Sequence, residues 1–209
     1  MRGRQCFRFL SHLVVLAAVA AALAGCASKT APLAGGLPPA QQPRWVAGDT
    51  WEFTTKNRSP FTLSDTMSVA HVGEEILLIG RNDPNKSARL NADLSVRESR
   101  GGLLNYTVNS GKDAYIFFPL VIGEERTFKQ STNTPKGTQN YTNVVTVEGA
   151  ERITVPAGTF DTFVIRVKKS NDTGWSGSYR LWYAPQVKYF VRIVDTHNGD
   201  AALVKYTVK

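Results

Sequence analysis

An all-β, antiparallel fold is what this chain predicts, and three observations predict it. After the first 25 residues, apolar residues do not recur at i, i+3, i+4 and i+7 over any ten-residue stretch, so the helical period is missing. Val, Thr, Tyr and Phe dominate the periodic segments. Clusters of Gly, Pro, Asn, Asp and Ser interrupt those segments about every ten residues, which is the spacing of short strands joined by turns. About twelve strands result, and a sheet that long must curl, close or split into layers. The expected architecture is a curved antiparallel sheet or an open or half barrel, with closure itself left open by the sequence.

The most regular part is 148–195. Val155-Pro156-Ala157-Gly158 reads as a turn, because Pro156 pre-sets φ and Gly158 tolerates a positive one. Phe163, Ile165 and Val167 then point one way, while Arg166 and Lys168 point the other. Tyr179, Leu181 and Tyr183 repeat the alternation, as do Tyr189, Val191 and Ile193.

Earlier elements follow the same logic. Thr50–Lys56 alternates about Trp51, Phe53 and Thr55, and Asn57–Pro60 breaks it. Thr66–Val72 and Glu75–Arg81 form a hairpin about Gly73-Glu74, and Ile76–Ile79 is expected to be covered on both faces. Asn82–Lys86 is read as a turn around Pro84, and 89–98 as two short strands about Asn91–Asp93. Leu103–Asn109 and Asp113–Phe118 are expected to flank a hairpin turn. Pro119 then takes the chain out of the sheet. Glu125–Gln130 and Tyr141–Val147 are strands around an exposed polar loop, 131–140. Ala202–Val208 is the last strand.

The start of the chain carries the strongest functional signal. Arg2, Arg4 and Arg8 precede the apolar run 13–24, and Gly25-Cys26 follows. A basic segment, a short apolar segment and a small-residue cleavage site form a secretory signal peptide over 1–25, expected to be helical. The apolar run is too short for a bilayer core of about 30 Å, which needs roughly 20 residues. Leu23-Ala24-Gly25-Cys26 resembles the lipobox of bacterial lipoproteins. The resemblance implies diacylglyceryl attachment to Cys26, cleavage before it, and acylation (palmitate-type) of the new amino group. Residues 27 and 28 are Ala and Ser, and the absence of Asp there implies the outer membrane, facing the periplasm, in a host that has one. Residues 26–43 hold the lipidated Cys26 and a Pro/Ala-rich stretch with four of the ten prolines. It reads as a flexible, disordered linker that holds the folded part off the membrane. Residues 44–209 form the all-β domain.

Composition removes several function classes. Without its leader the chain has 22 Lys and Arg against 17 Asp and Glu, a modest +5 that is dispersed. Nucleic-acid recognition would cluster those charges, so no nucleic-acid partner is expected. Cys6 leaves with the leader and Cys26 is consumed by lipid, so neither disulfides nor thiol catalysis is expected. His71 and His197 lack ligand spacing, so no metal and no cofactor are expected. Gly174-Trp175-Ser176-Gly177 lacks nucleophile-elbow spacing and precedes a strand. The acids of Asp49 with Glu52 and of Glu74 with Glu75 are read as solvated.

Trp45…Gly48-Asp49-Thr50-Trp51, Phe118-Pro119-Leu120…Gly123, Val155–Phe160 and Trp182-Tyr183-Ala184-Pro185 together resemble a pattern in uncharacterised bacterial lipoproteins and exported proteins. The resemblance implies a curved β-sheet or open barrel and no established activity. The expectation is a membrane-anchored, non-enzymatic envelope lipoprotein that binds or assembles with an envelope protein or lipid. The alternative is a periplasmic carrier or sensor of an apolar ligand in a curved-sheet cavity. Trp175, Trp182 and Tyr183 are the candidate contacts for ligand or partner.

Overall fold

The computed structural model describes residues 29–55, 66–101, 105–197 and 199–209. The leader, Cys26 and the break at Asn57–Pro60 lie outside the described residues. Among the described residues thirteen strands are present: β1 Lys29–Pro32, β2 Thr50–Thr55, β3 Thr66–Val72, β4 Ile76–Gly80, β5 Asp83–Leu90, β6 Val96–Arg100 and β7 Tyr106–Gly111. They continue as β8 Glu125–Thr134, β9 Gly137–Val155, β10 Gly158–Asn171, β11 Ser176–Ala184, β12 Tyr189–Asp195 and β13 Asp200–Thr207. One 3-10 turn, Pro185–Val187, joins β11 to β12. The expected all-β, antiparallel architecture is observed. β2 to β8 pair in sequence, β9 to β13 likewise, β13 pairs with β2, and β8 with β9 closes the ring. The result is a twelve-stranded barrel with β1 added on the free edge of β9.

Alternation determines what faces inward. Phe163, Ile165 and Val167 of β10 and Tyr179, Leu181 and Tyr183 of β11 are buried, while Arg166 and Lys168 are exposed. Burying each such side chain contributes about 1.5–3 kcal/mol, which fixes the register, since a one-residue slip would turn the whole set outward. β4 behaves differently from expectation. Ile76 and Leu78 are buried, but Leu77 and Ile79 are only half-buried, so one face of the strand lies toward solvent.

Four other expectations are corrected. The polar segment 131–140 is no loop: β8 and β9 stay paired down to Thr134 and Gly137, leaving only Pro135-Lys136 as the turn. Polarity there reports exposure, whereas backbone conformation follows the strand preference of Thr. Pro84 is not in a turn cluster but inside β5, where the β4–β5 register shifts between Ile79 and Gly80 and an irregularity tolerates proline. Asp113–Phe118 is not a strand. Only Asp113 bridges, to Val96, and residues 113–117 are all buried, which a barrel wall with one solvated face does not allow. This segment runs inside the ring, with Tyr115 edge-on to Tyr179 and Phe118 edge-on to Tyr183 across the interior.

The fourth correction concerns the segment expected to be a flexible linker. From Lys29 onward it lies on the barrel. Lys29–Pro32 pairs with Glu151–Thr154, Leu33 donates to the Ala150 carbonyl, and buried Ala40 bridges Leu120. Trp45 then donates its indole N–H to the Ala92 carbonyl at 2.9 Å, so the chain crosses one end of the barrel before β2 begins. Proline and alanine make poor core material, but here they give an extended backbone that pairs with an otherwise open edge.

The β9–β10 hairpin is longer than the barrel wall requires. A bulge between Val164 and Ile165 bends it. Beyond the bend, the Ala157 N–H reaches the Leu203 carbonyl of β13 at 3.0 Å, and Phe160 meets Tyr206 of β13. The hairpin therefore folds back over the outer face of β11–β13. With β1 it forms a three-stranded flap.

Candidate functional site

Three places bring polar or aromatic side chains together. The first is the barrel interior around Asp113, which is fully buried. Its Oδ1 accepts from Lys169 Nζ at 2.8 Å, Gln130 Nε2 at 2.9 Å and Asn143 Nδ2 at 3.0 Å, and its Oδ2 accepts from the Tyr106 hydroxyl at 2.8 Å. Lys169 also donates to the Tyr115 hydroxyl at 2.7 Å and lies 4.8 Å from the ring centroids of both Tyr115 and Tyr141. Desolvation, reinforced by the Asp113 charge, pushes the Tyr106 and Tyr115 hydroxyls well above the ordinary tyrosine range. These groups are enclosed, and their chemistry is that of a satisfied ion pair holding the interior segment to the wall.

The second place is the end of the barrel crossed by the N-terminal segment. Asp49, read from sequence as solvated, is fully buried. It accepts from the Lys209 backbone at 2.8 Å, from Lys188 Nζ at 3.1 Å and from the Val46 backbone at 3.2 Å. Trp51 donates to the Val187 carbonyl at 2.9 Å from a fully buried position. Asp49 ties together the start of β2, the 3-10 turn and the chain's last residue, a closing role that sequence adjacency to Glu52 does not reveal.

The third place is on the outside. A groove of about 600 Å³ crosses β7, β8, β9 and β10. Register aligns Gly111, Gln130, Tyr141 and Asn171 in one row. The outward-pointing neighbours Lys129, Ser131, Asn140, Thr142, Ser170 and Asp172 form the walls. Asn140 donates to Asp172 at 2.9 Å. Trp175 lies in the β10–β11 turn, held by its backbone N–H donating to Asn171 Oδ1 at 2.8 Å; its ring lies on the inward side with Lys169, at the barrel's end, and does not line the groove. It is 38 % exposed, stacks on His197 at 5.7 Å and meets Tyr141 edge-on at 6.2 Å. Gly177 makes this possible, because a Cβ there would come within about 3.0 Å of the Trp175 ring.

The three candidate contacts thus fall in different places. Trp175 is exposed at the end of the barrel, on the side of Lys169 and Tyr141. Trp182 points to the outer face of β11 but is buried under the flap, donating to Glu151 Oε2 at 2.9 Å between Arg180 and Arg192. Tyr183 is inside the barrel, fully buried, and its hydroxyl has no hydrogen-bond partner; desolvation raises its pKa. Cys26 lies outside the described residues. His71 and His197 are both exposed. Among the described residues no cluster of three or more His, Cys, Asp or Glu suits a metal ion, and no helix is long and apolar enough to cross a membrane.

Sequence reading missed Lys169, Asp113, Gln130 and Asn143. For Lys169 a signal existed, since the inward series 163, 165, 167 extends to 169. Nothing in the sequence marks Asp113 as its partner 56 residues away.

The architecture defines a class, a closed antiparallel barrel carrying a folded-back hairpin. The family described as DUF3108-like matches residues 124–208, from the end of the interior segment through β13. In fold, the chain is similar to the hypothetical lipoprotein YmcC from Escherichia coli K12. The TM-score is 0.50 at 7% identity, over 78% of this chain and 87% of that one. No curated protein matches the sequence. Both likenesses fit the resemblance to uncharacterised lipoproteins.

Proposed function

We propose that this protein is a lipid-anchored envelope lipoprotein, non-enzymatic, that binds another envelope protein through the outer groove. The lipobox ending in Cys26 and the fold shared with a hypothetical lipoprotein support the anchored reading. The groove carries the binding reading. It offers hydroxyl, amide, carboxylate and ammonium groups on four hydrogen-bonded strands. Such a surface is pre-organised, so a partner loses little entropy in ordering it. The outer-membrane, periplasm-facing location stays part of this proposal and rests on Ala27 and Ser28.

A photo-crosslinking residue at Ser170, in cells, tests the reading. A discrete adduct is expected that is lost in Asp172→Lys, while a probe at Arg152 on the flap gives none. Adducts that are equal at both positions, or insensitive to that substitution, would remove the groove as the binding site. Fatty-acid labelling of wild type against Cys26→Ser tests the anchor, and equal labelling sinks it.

A further inference from the structure

The position of β1 limits where the barrel sits relative to a lipid on Cys26. Only Ala27 and Ser28 separate Cys26 from Lys29, whose backbone is paired with Thr154 in the flap. Three Cα–Cα steps at about 3.3–3.6 Å each give a reach of at most roughly 11 Å. A free 17-residue linker would allow roughly 50 Å at about 3.1 Å per residue. The anchor therefore emerges beside the Pro156-Ala157 turn, and the flap is the part of the barrel nearest to it.

We propose that the flap, made of β1 and the outer halves of β9 and β10, is the membrane-apposed face, held against lipid headgroups by acylated Cys26. This rests on the lipoprotein reading above. The surface suits a hydrated headgroup layer. Pro156, Thr154 and Thr159 are exposed, and Arg152 and Asp161 pair on it at 2.6 Å, so it shows neither a large apolar patch nor an excess of acids. Short hydroxyl and paired side chains tolerate contact without a desolvated charge. The 19-residue β9 leads away from this face to the Pro135-Lys136 turn, and the groove walls at Asn140 and Thr142 lie toward that far end. Apposition of the flap thus leaves the groove free for a partner.

The test uses the full chain, acylated in a bacterium and reconstituted in vesicles of phosphatidylethanolamine and phosphatidylglycerol. After leader removal and acylation no free thiol remains, so a single introduced cysteine can be labelled with a fluorophore. Pro156→Cys and Lys136→Cys place it at the two ends of β9. A headgroup-attached quencher is expected to act several-fold more strongly on the label at 156 than on that at 136. A flexible Gly/Ser insert of about 15 residues between Ser28 and Lys29 is expected to erase the difference by restoring a free linker. Equal or reversed quenching in protein whose intact mass carries the lipid would overturn the apposed flap while leaving the lipoprotein reading standing. A difference that survives the insert would overturn the short tether as its cause. An intact mass without lipid would overturn the lipoprotein reading, and the apposed flap with it.

Discussion

The two halves of the barrel interior are built from different materials. Near the end crossed by residues 33–49, the filling is aromatic and dry. Trp51 meets Trp45 edge-on at 5.9 Å and lies 5.1 Å from Tyr189, and Phe190 touches both Tyr189 and Tyr183. Around Asp113 it is polar, with one carboxylate collecting four donors. The difference teaches how a wide ring is filled. Aromatic rings occupy volume and tolerate small shifts, so they set stability. A buried carboxylate has no water to fall back on and demands particular partners, so it sets which backbone segment enters and at what register.

Breaking the polar half should cost most. Asp113→Ala leaves the Lys169 ammonium buried and strips Gln130, Asn143 and Tyr106 of an acceptor. A loss of about 3–5 kcal/mol in urea unfolding is expected. Asp113→Leu combined with Lys169→Met should recover much of that loss, because it removes both charges together. If the double variant is as unstable as Asp113→Ala, the cost lies in the segment's packing and not in the charge.

The aromatic half should yield more gently. Trp51→Phe keeps a ring but loses volume and the hydrogen bond to Val187, so a loss of about 1–3 kcal/mol is expected, read as a lower urea midpoint at unchanged slope.

Alkaline titration separates the halves by another route. Burial raises the pKa of Tyr106, Tyr115, Tyr179, Tyr183 and Tyr189, five of the seven tyrosines. A raised folded-state pKa favours the neutral, protonated form. The stability it contributes is fully present below the unfolded value of about 10 and is lost as pH rises beyond it. Tyrosinate absorbance from these five is therefore expected to rise in a cooperative step coincident with the loss of circular dichroism. Gradual ionisation of the five before unfolding would contradict the enclosed interior.

The smallest effect is expected at the barrel's end. Trp175→Ala removes an exposed ring and should change thermal stability by no more than about 0.5 kcal/mol. It should leave the Ser170 crosslink in place, because its ring and the groove walls lie on opposite faces of the sheet.

Legibility follows from these same features. The β10, β11 and β12 faces were readable because each strand lists its inward residues at every second position. Trp182 lies off the inward Tyr179–Leu181–Tyr183 series, and its burial depends on a hairpin that folds back from a bulge. The motifs that carried the resemblance prove to be closures. Asp49 and Trp51 seal one end, Leu120 bridges Ala40, Val155–Phe160 makes the flap turn, and Trp182–Pro185 runs into the 3-10 turn.

By itself, the sequence determined the fold class and the antiparallel alternation, because both are local patterns written in neighbouring residues. Only the tertiary structure decided that the ring closes through β8 and β9, that Asp113 meets Lys169, and that β1 lies on the flap. Those are pairings between residues far apart in the chain, selected by which arrangement satisfies buried polar groups and open strand edges at once.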